Sequence, residues 1–93
     1  MRLTEKETSV IREAVHALDP EAKIYLYGSR ADDTKRGGDI DLLIMSQALT
    51  RSAEGRIRWR IWERLGEQKI DILVARDTAD PFVRIALKEG VPL

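Results

Sequence analysis

Three aspartates and a Gly-Ser pair carry the chemistry legible in this chain. Asp39 and Asp41 stand one residue apart in the run Gly37-Gly38-Asp39-Ile40-Asp41-Leu42-Leu43-Ile44, and Asp71 interrupts the run Lys69-Ile70-Asp71-Ile72-Leu73-Val74-Ala75. Both runs read as strands. Strand side chains alternate between faces, so Asp39 and Asp41 share one, ~6.5–7 Å apart at Cα. Two carboxylates on one face at a strand start make a poor core and a good oxygen-ligand set for divalent cations. Asp71 in an apolar run is costly if buried without a partner. Protection of a sheet edge accounts for one such aspartate; three of them, beside Gly-Ser, point to function. If the two strands are neighbours, the carboxylates converge. Converging like charges repel strongly at low dielectric, and a cation is the natural resolution. All-oxygen ligands without histidine or cysteine favour Mg²⁺ or Mn²⁺ over zinc.

The Gly-Ser pair lies in Leu26-Tyr27-Gly28-Ser29-Arg30, at the end of an apolar strand. Gly28 allows close approach to backbone N–H groups, and Ser29 places a hydroxyl at a helix N-terminus, both of which suit a polyphosphate. Arg30 follows the turn, and Lys35 and Arg36 precede the aspartates. Each is placed to neutralise phosphate charge, and each reads equally as a solvated loop cation. A phosphate cradle beside metal carboxylates suggests nucleotide chemistry.

The elements that must position these groups follow from pattern. Thr4-Glu5-Lys6-Glu7 reads as a capping box with Thr4 as N-cap. Val10, Ile11, Ala14, Val15 and Leu18 then form a helical stripe that stops before Pro20. His16, the single histidine, lies beside the stripe and reads as a helix-surface residue. Ala22 to Tyr27 is the first strand, with Ile24 and Leu26 on one face and Tyr25 and Tyr27 on the other, both faces covered. Residues 29–35 hold a short helix or turn, favoured by Asp32 and Asp33 in its first turn. Asp39 to Met45 is the second strand. A helix covers Ala53 to Leu65, with Ile57, Ile61 and Leu65 in one arc and Trp62 on its flank. Arg58 falls inside that arc, so its stem is expected to be buried at the rim with its guanidinium reaching out. Trp59 falls outside, either as a partner surface or packed on neighbouring arginine stems. Gly66 is a C-cap. Lys69 to Ala75 is the third strand. Asp80 and Pro81 start a last helix, lined by Val83, Ile85, Ala86 and Phe82 and closed by Gly90. Val91-Pro92-Leu93 is a tail. The helix between the second and third strands suits a crossover between parallel or mixed strands. The expectation is a small α/β (α+β) domain spanning 1–93, with a mixed sheet of three strands or slightly more and about four helices.

Bulk properties limit the partners. Sixteen acids balance sixteen bases, so no long-range field advertises nucleic acid or membrane. The absence of cysteine excludes disulfides and thiolate metal sites and fits a reducing cytoplasm. The charged start, Met1 to Val10, is not a signal peptide, and no apolar run approaches membrane-spanning length. A cytoplasmic location is expected, with no direct nucleic-acid binding.

Gly28-Ser29, then nine residues, then Asp39-x-Asp41, with a third aspartate on a later strand, resembles the nucleotidyltransferase fold of the DNA polymerase beta superfamily. Within it, the short length and the run from Gly28-Ser29-Arg30-Ala31 to Gly37-Gly38-Asp39-Ile40-Asp41-Leu42 look like the minimal nucleotidyltransferases, the MNT family. The resemblance implies that Gly28 and Ser29, with Arg30 beside them, hold nucleotide phosphates. It implies that Asp39 and Asp41 bridge two Mg²⁺ ions, and that Asp71 completes one metal site and helps take the proton from the attacking hydroxyl. Two such ions, roughly 3.5–4 Å apart, stabilise the attacking and leaving oxygens at the α-phosphorus. This chain departs from many relatives: Ala31 leads to Asp32-Asp33-Thr34, and Gly38 rather than serine precedes Asp39, so the phosphate-side loop is more acidic.

Larger members of the superfamily use an appended domain for the acceptor, so a minimal one borrows its acceptor site from a partner or from another copy of itself. The family resemblance implies an antitoxin that moves AMP from ATP to a tyrosine of an all-helical HEPN toxin. Two other readings stay open: a binding module of the same fold that neutralises a partner by occlusion, and an oligomeric transferase acting on a small hydroxyl compound.

Overall fold

The computed structural model describes residues 3–31 and 38–93. Helix α1 (Glu5–His16) opens with the expected capping box: Glu7 N donates to Thr4 Oγ1 at 3.0 Å, and Thr4 N donates to Glu7 Oε1 at 2.9 Å. Two orphan N–H groups are thereby satisfied. Strand β1 (Lys23–Tyr27) ends in a 3₁₀ turn, Gly28–Ala31. Strand β2 (Ile40–Met45), helix α2 (Ala53–Leu65), strand β3 (Ile70–Ala75) and helix α3 (Pro81–Glu89) follow. The remainder of the expected 29–35 helix, together with Asp32, Asp33, Lys35, Arg36 and Gly37, lies outside the described residues.

The sheet is mixed, in the order β3-β2-β1-β4, where β4 is Val91–Pro92. β1 and β2 are antiparallel; β2 and β3 are parallel, as the intervening α2 requires. The C-terminal residues are more than a tail: they pair antiparallel with Tyr25 and Leu26, and Leu93 N donates to Ile24 O at 2.9 Å. Nothing local marks a two-residue strand; only the free edge of β1 does.

Helices cover both faces. On one, α1 and α2 bury Val10, Ile11, Val15, Ile57 and Ile61 against Ile24, Leu26, Ile40, Leu42, Ile44, Ile72 and Val74. On the other, α3 sets Val83 and Ala86 on Leu43, with Tyr25, Tyr27, Met45 and Leu73 packed around them. Here the expected lining of α3 needs correction. Phe82 and Ile85 are 49% and 54% exposed. The sheet-facing arc runs through 83 and 86, and 82 and 85 fall about 100° to its side.

Arg58 makes a contact that periodicity does not show. It sits half-buried at the rim as read, and its Nε donates to Ile70 O at 3.0 Å. Glu54, Arg58 and Trp62, one turn apart on α2, all bond the outer side of β3 or the loop leading into it. Val74 N donates to Glu54 Oε2 at 3.0 Å, and Trp62 Nε1 donates to Gln68 O at 2.7 Å. Side chains of α2 thus take up groups that an edge strand otherwise offers to another chain. Trp59, on the opposite side of the helix, is 61% exposed. His16 Nε2 lies 3.1 Å from Ala22 O, a local structural contact. A buried Asp19 accepts a 2.6 Å bond from Ser46 Oγ, which itself accepts from the N–H groups of Ala48 and Leu49. That network ties the end of α1 to the far end of β2 and has no part in the site below.

Candidate active site

β2 and β3 are neighbours, and their register sets Asp41 directly beside Asp71. On the other side, Tyr27 of β1 pairs with Asp41. Tyr27, Asp41 and Asp71 therefore form a row across three strands. Alternation puts them on the α3 face, past the point where Leu43 and Leu73 are covered. The apolar partners of Asp71 (Ile70, Ile72) face the opposite, buried side, while Asp71 itself is exposed. Its place on the edge strand agrees with a protective role for a lone charge, yet a protective charge has no need to meet a second carboxyl.

The two carboxyls are close enough for a hydrogen bond between them, which forms only when one carries a proton. Asp41 is pushed up from the ordinary 3.8 to about 6, first by loss of water, then by the charge and hydrogen bond of Asp71 and the charge of Asp39; Lys69 pulls the other way. Desolvation, then the charges of Asp41 and Asp71, raise the Tyr27 phenol above its usual value. The site thus concentrates negative charge, which Lys69 offsets in part.

Asp39 lies just before β2, with its carboxylate 3.3 Å from Lys69 Nζ. Among the described residues no three His, Cys, Asp or Glu side chains stand together as a ready cation cage. Asp41 and Asp71 meet as expected; Asp39 is on the same side but is held by Lys69. Sequence reading passed over Lys69. The available signal was its spacing: two residues before Asp71, it shares that strand's outward face.

The Gly-Ser turn abuts this row. Gly28 has φ 73°, a left-handed conformation that a side chain strains, and a Cβ there would lie 2.5 Å from Asp41 Oδ2. Only glycine lets the turn come down onto that carboxylate. Gly38, with φ 90°, faces Ser29: a Cβ there would collide with Ser29 Oγ. The residue before Asp39, where serine was the expected type, is therefore glycine because the Ser29 hydroxyl fills the space. Arg30 Nε donates to Gly38 O at 3.3 Å, and its guanidinium lies 3.9 Å from Glu7. In this state Arg30 ties the turn to the approach of β2 and to α1.

The donor set fits a divalent cation. It is all oxygen, it sets two carboxyls side by side, and it adjoins a glycine turn packed on one of them. Asp41 and Asp71 would hold such an ion, and Asp39 would join on release from Lys69.

The model of a family described as "Nucleotidyltransferase domain" matches residues 9–93. A comparison with curated proteins gave no match. No helix among the described residues is long and apolar enough to cross a membrane.

Proposed function

The chain belongs to the nucleotidyltransferase-domain family, and from that premise we propose that it transfers AMP from ATP to a tyrosine hydroxyl of a HEPN-type partner, silencing it as an antitoxin. Nucleotidyl transfer as such is the family's activity; the nucleotide, the Mg²⁺ ions and the acceptor are what is proposed. The observation that carries the reading is the paired Asp41 and Asp71 beside Gly28.

In this reading the Gly28–Ser29 turn receives the β- and γ-phosphates on backbone N–H groups and the serine hydroxyl, which lays the α-phosphorus over the carboxylate row. Magnesium bound there would supply Lewis-acid stabilisation of charge on the phosphoryl and leaving oxygens. Asp71, exposed at the sheet edge, is open to an incoming hydroxyl and accepts its proton. The acceptor oxygen bonds to the α-phosphorus, the bond from that phosphorus to the β-bridging oxygen breaks, and pyrophosphate leaves with the electron pair. Asp41, more enclosed, keeps the row anchored under the Gly28 turn.

Incubation with Mg-ATP and the product of the adjacent gene tests this. The partner should gain one or more AMP units in mass with wild type and none with Asp39→Asn. No gain with either protein rules the reading out. The occlusion reading is favoured by the Asp39–Lys69 pair, which lets the site stand without metal. It predicts that Asp41→Asn still neutralises the partner.

A further inference from the structure

We propose that Lys69 is a built-in stand-in for the divalent cation, pairing with Asp39 in the metal-free protein and giving way when metal binds. The inference rests on the metal reading of the carboxylate row and concerns a residue outside it. Its Nζ lies 3.3 Å from Asp39 Oδ2. Of the three aspartates, Asp41 and Asp71 stand side by side across β2 and β3, and Asp39 is the one paired with Lys69.

The pair is built to exchange. The Lys69 and Asp39 side chains are 70% and 42% exposed, so water screens their attraction and the long lysine stem gives it up at little cost. A divalent ion held by all three carboxylates offers Asp39 twice the charge at direct contact. Structure does not require the lysine head: the backbone bond from Ile40 N to Lys69 O at 3.4 Å survives any side chain. In a fold whose Asp41 and Asp71 already crowd each other, a lysine at the mouth limits repulsion until the ion arrives and sets the concentration at which it does so.

Titration of metal-stripped full-length protein with Mn²⁺, followed by calorimetry, tests this without reference to turnover. Lys69→Gln should bind Mn²⁺ about two- to fivefold more tightly than wild type, the range an exposed ion pair supplies, and Lys69→Arg should match wild type. In an Asp39→Asn background, Lys69→Gln should add much less than it does in wild type, as a pairwise coupling requires. Equal or weaker binding by Lys69→Gln, or the same gain without Asp39, overturns the role of Lys69 alone. No Mn²⁺ binding by wild type and Lys69→Gln alike overturns the metal reading as well.

Discussion

Asp41→Asn is expected to make the metal-free protein more stable, and only above a defined pH. An asparagine keeps the shape of Asp41 and its hydrogen bond to Asp71 and removes the charge. The folded Asp41 has its pKa raised to about 6 from 3.8. Between those values the folded state binds a proton that the unfolded state lacks, so stability falls as pH rises from about 4 to 6 and stays reduced above it. At 1.36 kcal/mol per pH unit the full shift corresponds to about 3 kcal/mol. The carboxyl is only half-buried, so solvent screening brings the expected cost down to about 1 kcal/mol. For a domain of this size that is a Tm difference of about 4–8 °C. Thermal unfolding with EDTA at pH 7.5 should show Asp41→Asn melting above wild type by that amount, and the difference should vanish at pH 4. Adding Mg²⁺ at pH 7.5 should raise the wild-type Tm and leave the variant nearly unmoved. If Asp41→Asn melts below wild type at pH 7.5, or gains equally at pH 4, the carboxylate is a structural fixture and the reasoning fails.

Two further substitutions probe the frame around the row. Gly28→Ala forces a Cβ into the left-handed region and against Asp41 Oδ2; we expect a loss of about 1–2 kcal/mol in urea unfolding and a more than tenfold loss of nucleotidyl transfer, because the turn can no longer rest on the carboxylate. Arg58→Ala removes the charged donor to Ile70 O and the stem that covers it; stability should fall by about 1–2 kcal/mol, and light scattering on warming should show earlier self-association through the opened edge of β3.

Much of the fold was legible because its signals are local. The capping box at Thr4 and Glu7, the stripe of Val10 to Val15, the arc of Ile57 and Ile61, and Asp80-Pro81 at the head of α3 each act within one helix. α2 spans the residues its periodicity indicates, and β1, β2 and β3 start one residue later than read. The misreadings concern surfaces that only assembly defines. Ile85 looks like a core residue until α3 is set down on Leu43 and Tyr25, and the bond from Arg58 to Ile70 O exists only once the edge of β3 lies beside the helix.

The sequence by itself determined that Asp39 and Asp41 point the same way, since strand alternation is a property of the backbone, and that Gly28 ends a strand. It did not determine that Asp71 stands beside Asp41, that Lys69 reaches Asp39, or that the final residues close the sheet. Each of these depends on register between segments far apart in the chain. A slip of one residue would have turned Asp71 to the opposite face. Burial of Ile70, Ile72 and Val74 under α1 and α2 forbids the slip, so the hydrophobic core is what brings the carboxylates together.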